Sequence, residues 1–288
     1  MIIITGATGQ LGHAIVKNLV GRVPANKVAA SVRDPAKASD LVALGVRVRR
    51  GDFNDFESLK YAFEGARQVL IVSSNARAFA GDPLAQHRTA IEAARAVGAK
   101  RIVYTSHVAA SSTSLFPPML DHAATEAMLA SSGLNWTALR NGFYAASGIA
   151  LMGDALKTGV IETTADGKIA WTAHADLAEA AAIIVADEGR YDGPTPPLTA
   201  SKALDYDDVA EMVSELIGKP VRHDKLSDEA LRVKILARGA PEVATRMLLG
   251  LYAASRKGEF ATIDPTLTQL LGRTTITMRE LISEKVSK

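Results

Sequence analysis

Over its first 140 positions the chain alternates short unbroken apolar runs with stretches whose apolar residues recur at a helical period. Residues 2–4, 27–33, 68–75, 100–106 and 134–140 read as buried strands, and 45–50 alternates apolar and basic residues as a strand near a sheet edge does. Between them, Ala14, Ile15, Leu19 and Val20 mark one face of a helix over 13–20. Asp34 followed by Pro35 predicts a capped helix start. Helices are also expected over 56–63, entered at Asp55 or Asn54, and over 83–97. This alternation with short connections implies right-handed crossovers and an α/β fold built on a doubly wound parallel sheet.

Beyond residue 150 the pattern changes. Asp166-Gly167 is a turn signal between two possible short strands within 163–169, and Asp176 is placed to cap an alanine-rich helix through Val185. Gly193-Pro-Thr-Pro-Pro197 reads as a loop, and short helices dominate from Tyr206 onward. The expected division is a nucleotide-binding domain over 1–150 and a smaller, mostly helical substrate lobe over 151–288. The boundary is soft, and some of the later segments return to the first sheet.

The nucleotide assignment comes from the first dozen residues. Gly6-Ala7-Thr8-Gly9-Gln10-Leu11-Gly12 joins the first strand to the first helix with glycines at G-x-x-G-x-x-G spacing. Gly6 allows the sharp turn, Gly9 lets backbone N–H groups approach a pyrophosphate, and Gly12 lets the helix lie close to the sheet with its N-terminal dipole toward the anion. Arg33 ends the second strand, where NAD-specific sites usually carry an acidic residue and where an arginine suits a 2′-phosphate. With Asp34 committed to capping, NADPH is the expected cofactor, the alternative for Arg33 being a solvated surface cation. Asp52 and Phe53 either meet the adenine or form a turn and a core aromatic. Ser73, Ser74 and Asn75 sit where ligands bind, outside the C-terminal end of a parallel strand, unless they merely open a loop. His87, alone on its helix, reads as structural.

Composition narrows the rest. The 288 residues carry a formal net charge of +2, no basic run, and only 5% aromatics, which disfavours nucleic acid as a partner. There is no cysteine, hence no disulfide or thiol chemistry, and no metal-binding histidine spacing is present. No apolar stretch approaches a membrane span, so a cytoplasmic protein without a membrane partner is expected.

With the glycine loop, Ser31-Val-Arg33-Asp-Pro, Tyr104-Thr-Ser, His122-Ala-Ala-Thr-Glu126, Leu139-Arg-Asn-Gly142, Ser255-Arg-Lys-Gly258 and Leu271-Gly-Arg273 together, the chain resembles the NmrA-like group of atypical short-chain dehydrogenase/reductases. Within that group it is most similar to the quinone-reducing and triphenylmethane-reducing branches. The resemblance implies a two-lobed NADPH-dependent reductase of a small-molecule quinone or similar acceptor, with a homodimer as a possible assembly. It also implies that Gly6 to Leu11 hold the pyrophosphate, Arg33 the 2′-phosphate, and Ser73 to Asn75 the ribose. Asn141, Gly142, Phe143 and Tyr144 would then line the nicotinamide and the acceptor cleft.

None of the six tyrosines is followed four residues later by lysine, the pairing by which typical short-chain dehydrogenases activate a proton donor. In its place stands His122 with Glu126 one helical turn on, either a carboxylate-supported proton donor or a surface histidine–carboxylate pair. A quinone accepts hydride readily and needs a donor less than an unactivated ketone does, so a direct, flavin-free hydride transfer to a conjugated acceptor is expected. Asn141, Tyr144 and His122 are the candidate catalytic residues, with Phe143 and Tyr144 either an aromatic wall or core at the lobe junction. A protein that senses NADP(H) and acts through a partner is the alternative from another class. Such a sensor needs no open acceptor cleft.

Overall fold

The computed structural model describes residues 1–287. Strand β1 (Ile2–Thr5) leads through the glycine loop into α1 (Gln10–Val20), and β2 (Val28–Val32) follows. After a 3-10 turn and α2 (Ser39–Ala43) come β3 (Arg47–Arg50), α3 (Phe56–Phe63), β4 (Gln68–Ile71), α4 (Pro83–Ala96), β5 (Arg101–His107), α5 (Pro117–Ala130) and β6 (Asn135–Asn141). Asp34 caps the turn at Pro35 by accepting from the Ala36 N–H at 3.1 Å. Asp55 caps α3 by accepting from the Ser58 N–H at 3.0 Å. Both starts follow the polar-then-helical sequence signal.

The main sheet is wholly parallel, in the order β3-β2-β1-β4-β5-β6 and then a two-residue strand from further along the chain. The order reverses between β1 and β4, and the strands around that point carry the ligand-binding ends of an open α/β sheet. β3 lies at the edge, as its alternating basic residues require. Period-2 alternation divides the core between two faces. Ile4, Leu70, Val103 and Leu139 face α1 with Ile15 and Leu19. Ile3, Val69, Ile102 and Tyr104 face the side of Phe63, Ile91 and Leu129.

The chain then crosses to the smaller lobe through α6 (Ala145–Leu151), α7 (Ala155–Thr158) and β7 (Val160–Thr164), and returns with α8 (His174–Ala186) and β8 (Gly193–Pro194). α8 closes the first face, Leu177, Ala181 and Val185 joining Ile15 and Leu19 of α1, and β8 extends the sheet beside β6. A helix over Thr266–Leu271 also places Leu267 in this core, so three elements beyond residue 150 pack on the first sheet. The remaining elements are α9 (Tyr206–Ile217), β9 (Arg222–Leu226), α10 (Asp228–Ala237), α11 (Glu242–Arg256), α12 (Thr266–Leu271) and α13 (Met278–Val286). The lobe's own core gathers Trp171, Tyr206, Tyr252, Phe260 and Ile282.

Two local expectations are corrected. Asp166-Gly167 does not turn a hairpin: β7 pairs in parallel with β9, some sixty residues on, while Asp166 accepts from the Tyr206 N–H at 2.9 Å. Gly167 lies against the Ser255 carbonyl, where a Cβ would overlap it, so the glycine serves a close approach of α11. Asp176 does not cap α8, which starts from Ala173. It is fully buried in the first turn, 2.8 Å from Arg273 and accepting from the Ile276 N–H at 2.7 Å.

Candidate active site

The C-terminal ends of β1, β4, β5 and β6 converge on one edge of the sheet, and their terminal threonines hold the loops there. Thr5 Oγ1 accepts from the Val72 N–H at 2.9 Å, and Thr105 Oγ1 accepts from the Ser73 N–H at 2.8 Å. The loop after β4 is thereby tied to the strands on both sides of it. His87, structural as its isolation on α4 suggested, secures the next residue: its Nε2 accepts from the Ser74 N–H at 2.8 Å.

The glycine loop forms an anion cradle. Gly6 has φ +60°, and its carbonyl accepts from the Gly9 N–H at 2.9 Å. A Cβ on Gly12 would overlap that same carbonyl, so only glycine lets α1 start this close to β1. α1 opens from Gly9 with no side-chain cap and no acidic residue in its first turn, leaving its first N–H groups and dipole to an external anion. Ala7 and Leu11 turn their side chains into the core, so they offer backbone only, whereas Thr8 and Gln10 are exposed. Arg33 is exposed at the end of β2, with no ion pair among the described residues. Asp52 and Phe53 have the contacts of the turn-and-core alternative: Asp52 accepts from the Asn54 N–H at 2.9 Å, and Phe53 packs on the cluster around Phe63.

At the end of β6, Asn141 is buried and its Oδ1 has no hydrogen-bond partner, an unsatisfied acceptor at the ligand edge. Gly142 fits where a Cβ would overlap Thr172 Oγ1. Phe143 is half-buried in the aromatic cluster at the lobe junction, its ring 5.3 Å from His107, 5.5 Å from Trp171 and 5.0 Å from Phe260. Tyr144 is half-buried with its ring 4.3 Å from that of His174, and burial raises its hydroxyl's pKa against an opposing bond from Asn141.

His122 and Glu126 share a helix face but are not partners, so neither reading of the pair stands. Glu126 is buried, accepts from Ser106 Oγ at 2.6 Å and pairs with Arg140 at 2.7 Å, which fastens α5 to β5 and β6. His122 instead has its Nδ1 2.8 Å from the Tyr104 hydroxyl, and burial pushes its pKa down to about 4. Tyr104 stands in the sequence only as part of a family motif, and neither it nor His107 is a candidate site residue there. The signal available was a lone aromatic in an aliphatic strand that ends in polar residues. Beside them lies a cleft of about 180 Å³, lined by Ser74, Asn75, Ala78, Pro118, His122 and Met247 among others. The His107 ring, 6.1 Å from His122, connects this cleft to the Asn141–Phe143 edge.

A model of the NmrA-like family matches residues 1–281. The chain belongs to the NmrA-like family. Over 284 residues it is 38% identical to quinone oxidoreductase 2 of Escherichia coli (strain K12), covering 98% of each chain. The crystal structure of the NADPH-dependent quinone oxidoreductase of Escherichia coli complexed with NADPH matches with a TM-score of 0.91 at 38% identity, covering 100% of this chain and 99% of that one. The triphenylmethane reductase of Citrobacter sp. matches with a TM-score of 0.89 at 32% identity, covering 100% of this chain and 99% of that one. The fold is thus shared with both neighbours along nearly the whole length of each chain. Among the described residues, no helix of this chain is long and apolar enough to cross a membrane.

Proposed function

We propose that this NmrA-like protein is an NADPH-dependent quinone oxidoreductase that passes a hydride directly to a quinone-type conjugated acceptor, without flavin. The observation that carries the reading is the glycine cradle under an uncapped α1, set beside the unsatisfied Asn141 oxygen, in a chain 38% identical to quinone oxidoreductase 2 over nearly its full length. These residues fit the cofactor. Backbone N–H groups of the loop Gly6 to Leu11, other than the Gly9 N–H that bonds the Gly6 carbonyl, bind the pyrophosphate, and Arg33, without an ion pair among the described residues, takes the 2′-phosphate. Ser73 to Asn75, pinned by Thr105 and His87, flank the ribose. Asn141 Oδ1 accepts from the carboxamide of the nicotinamide and so orients its ring. NADPH, when bound, supplies the hydride. One quinone, one NADPH and one proton give one hydroquinone and NADP⁺.

The missing tyrosine–lysine pair agrees with this chemistry. A quinone needs the reacting carbons held in contact more than it needs an acid, so positioning does most of the catalysis. The open cleft at His122 supports a reductase over an NADP(H) sensor, which requires no acceptor site. Reduction of triphenylmethane dyes is the second reading, favoured by the similarity to the Citrobacter enzyme. The protein's partner on this reading is a small molecule, its place the cytoplasm and its assembly a homodimer, which fractionation and light scattering test.

Loss of NADPH absorbance, with and without 1,4-benzoquinone and with the non-enzymatic rate subtracted, tests the proposal. Acceptor-dependent oxidation is expected. Arg33→Ala should raise the KM for NADPH about tenfold, the worth of one exposed charge-assisted bond, while leaving NADH within about twofold. No turnover with any quinone despite NADPH binding would overturn the quinone assignment.

A further inference from the structure

Four ring side chains, those of His87, Tyr104, His107 and His122, meet beside the ends of β4 and β5. The Ser74 N–H donates to His87 Nε2, so His87 holds its proton on Nδ1 and gives it to Thr125 Oγ1 at 2.8 Å. The Thr125 hydroxyl in turn donates to the Asp121 carbonyl at 2.7 Å. Tyr104 is fully buried, and burial keeps its phenol protonated. Its hydroxyl lies 2.8 Å from His122 Nδ1, and with the phenol as donor of that bond the imidazole proton of His122 sits on Nε2. That nitrogen has no partner among the described residues, is not sealed from solvent, and belongs to a side chain lining the cleft.

The cleft walls select a ligand class. Ala78, Pro118 and Met247 are apolar, and the one carboxylate in the lining, Asp121, is held by Arg77 in a two-point ion pair at 2.5 and 2.6 Å. No unbalanced charge is left to hold a cationic acceptor. The cleft of about 180 Å³ accommodates one ring and its substituents.

We infer that this cleft takes a neutral single-ring quinone, that His122 donates a hydrogen bond from its Nε2–H to the quinone carbonyl oxygen, and that Tyr104 is the positioning residue that fixes the required tautomer. The inference rests on the quinone-reductase reading above. As two electrons and one proton arrive together as hydride, negative charge develops on the quinone oxygen. A preset N–H donor in an apolar cleft stabilises that oxygen. The second proton comes from water, completing the hydroquinone, and His122 keeps its own.

A neutral imidazole suits this task at every pH above its low pKa. The groups around it do not supply a counter-charge. His107 of β5 and His87 of α4 are themselves kept neutral by burial. Tyr104 of β5 is a neutral phenol. Asp121 and Glu126 of α5 are engaged by Arg77 of the turn after β4 and Arg140 of β6. Quinone turnover should therefore show no inflection near the ordinary histidine pKa of about 6.5.

Nitrogen-15 NMR of histidine-labelled full-length protein at neutral pH tests the tautomer directly, with the His122 signals assigned by their loss in His122→Gln. Wild type should show Nε2 protonated and Nδ1 accepting, and Tyr104→Phe should shift His122 toward a mixture of tautomers. The same variant should lower kcat for 1,4-benzoquinone in proportion to the Nε2-protonated fraction lost, about twofold for an even mixture, with the Kd for NADPH within about twofold. His122→Gln, which keeps an N–H donor, should retain about tenfold more kcat than His122→Leu. An Nδ1-protonated or cationic His122 in wild type overturns the inference, as do equal rates for the Gln and Leu variants. Should Tyr104→Phe not fold, the wild-type spectrum and the two His122 variants still decide. A wild type without quinone turnover overturns the acceptor assignment together with the proposed function, while the spectrum separately judges the role of Tyr104.

Discussion

Replacing Gly9 and Gly12 separately by alanine should split cofactor binding from folding. Gly9 has φ −86° and ψ 163°, extended backbone that alanine adopts freely, so its glycine is not there for conformation. A Cβ at Gly9 would meet the Gly6 carbonyl oxygen at 3.3 Å, a contact that yields with a shift of a few tenths of an ångström. The folding cost of Gly9→Ala should stay below about 1 kcal/mol, partly offset by the reduced freedom of the unfolded chain. The same methyl stands over the N–H groups at the mouth of α1. Losing one charge-assisted bond to a pyrophosphate costs about 1.5–3 kcal/mol, or roughly tenfold to a hundredfold in Kd. At Gly12 the added Cβ overlaps the Gly6 carbonyl and lies 3.1 Å from the Thr5 carbonyl oxygen, both backbone and neither able to rotate away. Overpacking there costs about 1–3 kcal/mol, and at about 2–4 °C per kcal/mol the melting temperature should fall by roughly 2–12 °C. Calorimetric NADPH titration and thermal melts of both variants supply the check. A Gly9→Ala protein that binds NADPH as wild type does would refute the cradle argument, and so would one that melts as low as Gly12→Ala.

The buried imidazoles of His87 and His107 should make the fold acid-sensitive. Burial holds His87 at about 3 and His107 well below its usual value, against about 6.5 in the unfolded chain. Above about pH 6.5 neither state binds these protons, so they contribute nothing there. As pH falls below that value the unfolded chain takes up protons the folded one refuses, and stability declines by about 1.4 kcal/mol per pH unit for each group. Urea melts at pH 7.5 and pH 5 should differ by a few kcal/mol, and equal stabilities would mean that these rings are not held neutral. Asp176→Ala removes a buried carboxylate that joins α8 to the Ile276 N–H and to Arg273. The loss should be about 2–3 kcal/mol, at the lower end for a broken buried pair because Arg273 is partly exposed, with NADPH affinity unchanged. A melt within a degree of wild type would show the carboxylate to be replaceable.

Local physics made the nucleotide half legible. Strand and helix periods, the Asp34 and Asp55 caps and the glycine spacing each depend on interactions within a few residues, so β1 to β6, α1, α3, α4 and the tight glycine turn between β1 and α1 are legible in the sequence. The same reasoning misassigned Asp166-Gly167 and Asp176, because an Asp-Gly turn and a capping aspartate have the same local signature as residues that meet distant partners. Nothing near Asp176 announces Arg273, and nothing near Gly167 announces Ser255. The cleft depended on tertiary structure most of all. His122 and Glu126 lie one turn apart on α5, yet folding sends Glu126 to Ser106 and Arg140 and brings Tyr104 to His122 from another strand. Which partner a polar side chain takes is set by which surfaces the apolar core forces together, and that is decided only when α5 closes on the sheet.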